Sequence, residues 1–326
     1  MFKRFWAAAF AVACLGFGLA LNPAAGEDYP SRTISIIVPQ PPGGGTDIIA
    51  RIVGHQLAEQ LKQTVIIENR TGAGTVVGTV AAANAAADGY TLLAGLTANM
   101  AVNPSLFAKL AYDPIRDFTP IGMMAEYPFV LVVNNDFPAH SVKEFIALAK
   151  AKPGSINVAS AGNGSGQHLS LELFKLMTGV NLTHVPYRGA APAYPDVMSG
   201  QTPAFFDNLS SALGKIKGGQ VRALAVTGNK RSALLSDVPT IAEAGVPGYE
   251  NNVWFGLWAP KNTPPAIVAK LHAELVKAIA SPDVKSKIEA GAGVPLAVPL
   301  ADIEPMEKAE IAKWADVVKR ANIKVN

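Results

Sequence analysis

The sequence predicts an α/β fold of two lobes, each a mainly parallel sheet flanked by helices, with a ligand cleft between the lobes. Three observations carry this prediction. Compact β-branched runs alternate with amphipathic stretches along the chain, a rhythm that implies parallel strands with helices on the sheet faces. The stretch "PQPPGGGTD" (39–47) ends one strand-like run and opens at once into a helical pattern, and "ASAGNGSGQ" (159–167) repeats the design. The chain of 326 residues is long enough for two separate cores.

Taken in order, "TISIIVP" (33–39) reads as a strand and the helix after it runs from about Asp47 to Gln60. "QTVIIENR" (63–70) is the next strand, "GTVVGTVAAANAA" (74–86) the next helix and "GYTLLAGL" (89–96) a third strand. "FVLVVN" (129–134) is a further apolar strand. Ser141 then caps the helix "VKEFIALAKAK", with Glu144 completing a capping box. In the second half, "INVASAG" (156–162) is a strand and "HLSLELFKLMTG" (168–179) an amphipathic helix ended by Gly179. "RALAVTG" (222–228) and "VWFGLWAP" (253–260) are strands. Two helices close the chain, over 263–280 and 303–321.

The N-terminus reads as an export signal. Lys3 and Arg4 precede an apolar run from Phe5 to Leu21, and Ala24-Ala25-Gly26 offers a small-residue cleavage site. The run is short for a membrane span and ends at Asn22-Pro23. Cys14 lies in the middle of the signal, so a chain cut after Gly26 has no cysteine for a disulfide, a thiolate metal site or a nucleophile. Without Lys3 and Arg4, 26 of the 28 basic residues face 25 acidic ones. Neither a basic tail nor a run of like charge suits nucleic acid. The mature chain is expected to be a soluble, monomeric periplasmic protein.

The glycine turns first suggest nucleotides, but "PPGGGTD" lacks the Lys-Ser/Thr pair of a P-loop. "GAGTVVG" (72–78) only loosely matches a dinucleotide fingerprint. No nucleophile elbow surrounds Ser160 or Ser165. His55, His140, His184 and His272 pair with no carboxylate at metal-ligand spacing, so neither cofactor nor metal is expected. What the turns suit is anion capture without chemistry. A helix N-terminus offers unpaired N–H donors and a partial positive charge, and glycines let a ligand reach that backbone. Thr46 and Asp47 fall near the helix start. There Asp47 is read as orienting the loop or bonding a polar group of the ligand, beside a small carboxylate held by backbone donors.

Several stretches, in order, resemble one family, the Bug or TctC-type solute receptors of tripartite tricarboxylate transporters. They are "YPSRTISIIVPQPPGGGTDIIAR", "IENRTGAG", "DGYTLL", "NPSLFAKLAYDPIRDFTPI", "HVPYRGAAPAYPDVMSGQ", "VRALAVTGNKRSALLSDVPTIAEAGVPGYE" and "WFGLWAPKNTPP". The resemblance implies a type II-like, two-lobed periplasmic binding protein rather than an enzyme. Its partners would be a small carboxylate and the large and small membrane subunits of the transporter. Carried over, it points to Pro42, Gly43, Gly44, Thr46 and Asp47 on one wall of the cleft. Ser160, Gly162, Asn163, Ser165 and His168 form the other, with Asp207, Thr97 and Asn99 nearby.

Gln40 stands where the family usually carries an aromatic, so it is a candidate to open the pocket or to hydrogen-bond the ligand's far end. Thr202 to Ala204 lack the family's common aliphatic run. Arg188 is the tempting partner for a second carboxylate, against a plainer role bracing the loop to Asp196 or Asp207. Trp254 and Phe255 are expected to pack in the core at the crossover strand, with lining the cleft as the other reading. The lobes are expected at 27–127 with 252–326, and at 128–251. Two rivals stand beside the receptor. One is a sensor partner presenting its ligand to a membrane signalling protein, and the other a secreted hydrolase using Ser165 and His168.

Overall fold

The computed structural model describes residues 29–324. The export-signal reading, on residues 1–26, lies outside the described residues.

The first half of the chain is built of β1 (Ile34–Val38), α1 (Gly45–Leu61), β2 (Val65–Asn69), α2 (Val76–Ala83), β3 (Thr91–Leu96) and the single turn α3 (Asn103–Leu106). β4 (Phe118–Val133), α4 (Val142–Ala151), β5 (Asn157–Ser160), α5 (Gly166–Thr178), β6 (Thr183–Pro186) and α6 (Tyr194–Ser199) come next. β7 (Ala204–Asn208), α7 (Leu209–Lys217) and β8 (Arg222–Val226) lead to β9 (Asn252–Pro260). α8 (Pro265–Ala280), α9 (Pro282–Ala290), β10 (Val294–Pro295) and α10 (Leu300–Arg320) complete the chain.

Parallel ladders join β1 to β2 and β3, and β5 to β6 and β7, wherever a helix carries the chain back. The strands that pass between the lobes run antiparallel to their neighbours. β4 is the spine of this arrangement. Its first part, Phe118 to Pro128, pairs with β9, whereas Phe129 to Val133 pairs with β7 and Val130 to Val133 with β8. The sequence suggested only the strand 129–134, because Pro120, Gly122 and Pro128 break the apolar run before it. Two register shifts against β9 accommodate that stretch, between Pro120 and Gly122 and between Met123 and Ala125.

Other departures are local. The helix expected over 74–86 starts as a tight turn at Ala73–Thr75, with Gly74 at φ 60° and Thr75 at φ 82°. α9 was not foreseen as separate; Ser281 ends α8 and caps α9 by accepting from the Val284 N–H. At α4 the capping box forms one residue out of step. Ser141 accepts from the Glu144 N–H, but Glu144 accepts from the His140 N–H. Trp254 and Phe255 are core residues as expected. Trp254 packs on Trp258 and Phe255 edge-on to Tyr127.

Candidate functional site

The first turn uses each of its three glycines differently. Gly43 sits at φ 80°, where an L side chain is strained, and a Cβ there would project into open space. Gly44 is extended (φ −75°) and is the N-cap of α1, yet no side chain caps this helix. Gly45 lies against Phe255; a Cβ would stand 3.3 Å from the ring. The Ile48 N–H reaches the Gly44 carbonyl, so the intrahelical ladder starts there. Among the described residues, no hydrogen bond occupies the N–H groups of Gly45, Thr46 and Asp47 that precede it.

Asp47 does not turn toward that opening. It is 3% exposed, and it accepts from Gly43 N (2.9 Å), Arg51 Nε (3.0 Å) and Asn69 Nδ2 (2.9 Å). A second Arg51 nitrogen lies 2.8 Å from its other oxygen. Burial opposes ionisation, but Arg51, Gly43 and Asn69 together outweigh it and hold the carboxyl down at about 2. Asp47 is therefore the bracket of the turn, as the loop-orienting reading expected. Asn69 also donates to the Gln40 carbonyl (3.0 Å). Gln40 folds over the helix start and accepts from the buried Thr46 hydroxyl (2.6 Å).

The second turn is built differently. Gly162 (φ 125°) and Gly164 (φ 75°) need the freedom of glycine. Gly166 lies so close to Phe129 that a Cβ would stand 2.5 Å from the ring. Ser160, at the end of β5, accepts from Gly162 N (3.1 Å). Ser165 caps α5 by accepting from the His168 backbone N–H (3.2 Å). The His168 ring turns inward, accepting from Gly164 N at Nδ1 (3.1 Å), with Nε2 3.7 Å from Glu172. Asn163 is exposed at the tip.

The Ser165 hydroxyl thus meets no imidazole, and the hydrolase pair is not assembled. The contact that does form is one the sequence did not announce. His184, on β6, lies 2.6 Å from the Ser160 hydroxyl and stacks on His168 at 3.8 Å.

Gly45 rests on Phe255 and Gly166 on Phe129. Phe255 faces Ala125 across the β4–β9 ladder, and Phe129 follows four residues along β4. Each glycine-bared helix start is thus backed by an aromatic ring of the crossover strands.

Four other candidates lie apart from the turns. Thr97 accepts from Trp254 N (2.9 Å) and ties β3 to β9. Asn99 has no exposed surface; it accepts from Leu96 N and donates to Thr79. Asp207 is equally buried, accepting from Tyr194, Ser211 and Asn208 N, with Gln167 Nε2 3.4 Å away. Both brace their loops. The bracing role expected of Arg188 is corrected. Tyr187 already donates to Asp196 (2.6 Å) and Tyr194 to Asp207 (2.7 Å), and Arg188 is exposed with no ion pair within 4 Å among the described residues. Pro42 is exposed beside Gly43.

A cavity of about 720 Å³ lies elsewhere, between Glu126, Asn252 and Gly293 on one side and Gly228 to Leu234 on the other, and none of the candidate residues lines it. Among the described residues no group of three or more His, Cys, Asp or Glu is placed to hold a metal ion. None of their helices is long and apolar enough to cross a membrane.

Fold and turns define a two-lobed periplasmic solute-binding protein. Residues 49–323 match the tripartite tricarboxylate transporter family receptor, TctC, and the chain belongs to that family. It is 38% identical to Protein BugT of Bordetella pertussis over 93% of each chain. Among solved structures, Rpa4515 of R. palustris, determined with adipate, is 38% identical with a TM-score of 0.80, covering 91% of this chain and 99% of its own. MatC of Rhodopseudomonas palustris, determined with bound malate, is 34% identical with a TM-score of 0.76, covering 89% and 100%. The family is one of periplasmic receptors, not enzymes.

Proposed function

We propose that this receptor captures a small carboxylate by closing its lobes and delivers it to the large and small membrane subunits of a tripartite tricarboxylate transporter. The observation that carries the reading is the start of α1, where no side chain occupies the N-terminal donors and Gly43 to Gly45 bare them. The adipate and malate of the two R. palustris proteins support a carboxylate. The backbone N–H groups of Gly45, Thr46 and Asp47 present the first-lobe donors, with Gly43 and Gly44 leaving them uncovered, Pro42 shaping the entrance and the Asp47 side chain holding the turn. Gly162, Asn163 and Ser165 face them from the second lobe, with Ser160 and His168 holding that turn. Gln40 and Arg188 contact the remainder of the ligand. Thr97, Asn99 and Asp207 support the walls from behind.

The lobes comprise 27–127 with 252–326, and 128–251; the change of strand partners after Pro128 supports these bounds. Closure is a hinge motion in the two crossing segments near Pro128 and Asn252. The precursor is cut near Gly26 and the mature protein works as a monomer in the periplasm.

The test is a thermal-shift screen of the mature protein against adipate, malate and other carboxylates, each beside its neutral amide. An acid at a hundredfold its dissociation constant adds about 2.7 kcal/mol, and its amide adds nothing. Gly44→Asp sharpens the result. Its carboxylate sits at an N-cap position and occupies the same N–H groups, so acid binding is lost while the free protein keeps or gains thermal stability. An amide that matches its acid, or a Gly44→Asp variant that still binds, would overturn the assignment.

A further inference from the structure

The second turn closes through Ser165 N on the Gly162 carbonyl (3.2 Å), and two of its glycine amides lead, one directly and one through Ser160, to histidines on different elements. Gly164 N donates to His168 Nδ1 at 3.1 Å, and Gly162 N donates to Ser160 Oγ at 3.1 Å. Ser160 Oγ in turn lies 2.6 Å from His184 Nε2, against 3.2 Å from the Gly162 carbonyl. Either ring tautomer fits this contact, and in the Nδ1–H form Ser160 donates to a bare His184 Nε2. The two imidazoles stack at 3.8 Å and 6° between planes.

We propose that His184 is a positioning residue of the carboxylate site, acting through Ser160 on the Gly162 amide, while its stacked partner His168 holds the Gly164 amide. The proposal rests on the receptor reading above, since it concerns the wall that reading assigns to the ligand. Its physical content is that both rings must offer a bare nitrogen. A proton on His168 Nδ1 would face the Gly164 N–H with a second donor. A proton on His184 Nε2 would take over a Ser160 lone pair and turn the hydroxyl hydrogen toward the Gly162 carbonyl. Either event changes the glycine turn without touching a ligand.

The surroundings keep His184 neutral. Beside its own β6 neighbours, His184 faces Ser160 from β5 and His168, Glu172 and Lys175 from α5. Burial, then the adjoining His168, pushes His184 down to about 4, with Lys175 adding and Glu172 opposing. Glu172 is itself tied to Lys175 Nζ at 2.8 Å. The sign follows: a folded-state value below the unfolded 6.5 favours the neutral ring. The neutral ring's contribution to stability is therefore full above about 6.5 and falls as pH drops toward about 4, whereas the ring of the folded protein takes up its proton, and the turn loosens, near pH 4. Carboxylate binding should weaken as pH approaches 4.

The experiment has a ligand-free arm and a ligand arm. In the free mature protein, ¹H–¹⁵N spectra follow the Gly162 and Gly164 amides while the imidazole nitrogens are titrated from pH 8 to 4. The Gly162 amide should move with the His184 ring, and His184→Gln, which keeps an acceptor for Ser160, should remove that step. In the second arm, adipate and malate affinities are measured across the same pH range. His184→Leu should weaken binding about tenfold at pH 7.5, the effect of one lost hydrogen bond. His184→Gln should restore affinity at pH 7.5 and leave only the pH dependence that the protonation of adipate or malate itself produces. A Gly162 amide that ignores the His184 titration, or a His184→Leu protein with unchanged affinity and pH profile, would overturn the proposal. If the wild type binds no carboxylate at any pH, the receptor reading fails, and the ligand-free arm still decides whether His184 positions the turn.

Discussion

Asp47 shows how much of the first turn depends on one side chain. It receives a backbone donor from Gly43, a guanidinium from Arg51 and an amide from Asn69, all while buried. Its value of about 2 lies below the ordinary 3.8 of an aspartate, so the bracket contributes stability above about pH 4 that is lost as pH falls toward 2. At neutral pH the contribution is about 2 kcal/mol. Asp47→Asn should lower stability by about that amount at pH 7 and flatten the acid limb of the unfolding curve. Denaturant melts at pH 7 and pH 3 check both statements. The same variant should bind carboxylates more weakly, because Gly43 loses the charged acceptor that shapes the turn.

At the scale of elements, α10 holds a second informative carboxyl. Glu307 is 1% exposed against Trp258, whose Nε1 lies 3.4 Å from one oxygen, and the other oxygen has no hydrogen-bond partner among the described residues. Burial pushes Glu307 up to about 8, with Glu304 and Asp113 adding repulsion. Here the sign is opposite to that of Asp47. A folded-state value above the unfolded 4.5 means stability fully present below about 4.5 and lost as pH rises through 8. Glu307→Gln should raise the melting temperature at pH 8.5 and change it little at pH 5, as calorimetry at the two values would show. The start of α5 offers a steric test. In Gly166→Ala the new methyl stands 2.5 Å from the Phe129 ring, so the helix start or the ring must shift. Stability and carboxylate affinity should fall together, whereas Gly214→Ala, with open space around it in α7, should be neutral or stabilising.

For the whole molecule, β4 and β9 carry the chain from one lobe to the other, and α10 packs on α5 across the same boundary. The chain passes from one set of strand partners to another between Pro128 and Phe129, beside Asn252. Few segments cross at that place, which suits a hinge between rigid bodies. Closure on a carboxylate should reduce the radius of gyration in small-angle scattering, and a Gly44→Asp protein given the same acid should show no change. A contraction in both would separate closure from the first turn.

The sequence by itself determined the α/β class, the two glycine turns and the helices they open, because these depend on contacts within a few residues. Arg51 lies one turn from Asp47, and Ser165 and Ser141 cap residues three ahead. Such partners are legible from spacing alone. The family resemblance was carried in the same way, by contiguous stretches. Tertiary structure decided what the polar side chains near the turns do. Asn69 reaches Asp47 from 22 residues away, His184 reaches Ser160 from 24, and Thr97 reaches the Trp254 N–H across 157. Nothing in spacing indicated that Asp207 and Asn99 would be drawn inside, or that Tyr187 and Tyr194 would leave Arg188 unpaired. A buried polar group must find its partners wherever the fold brings them, and only the assembled strands bring these together.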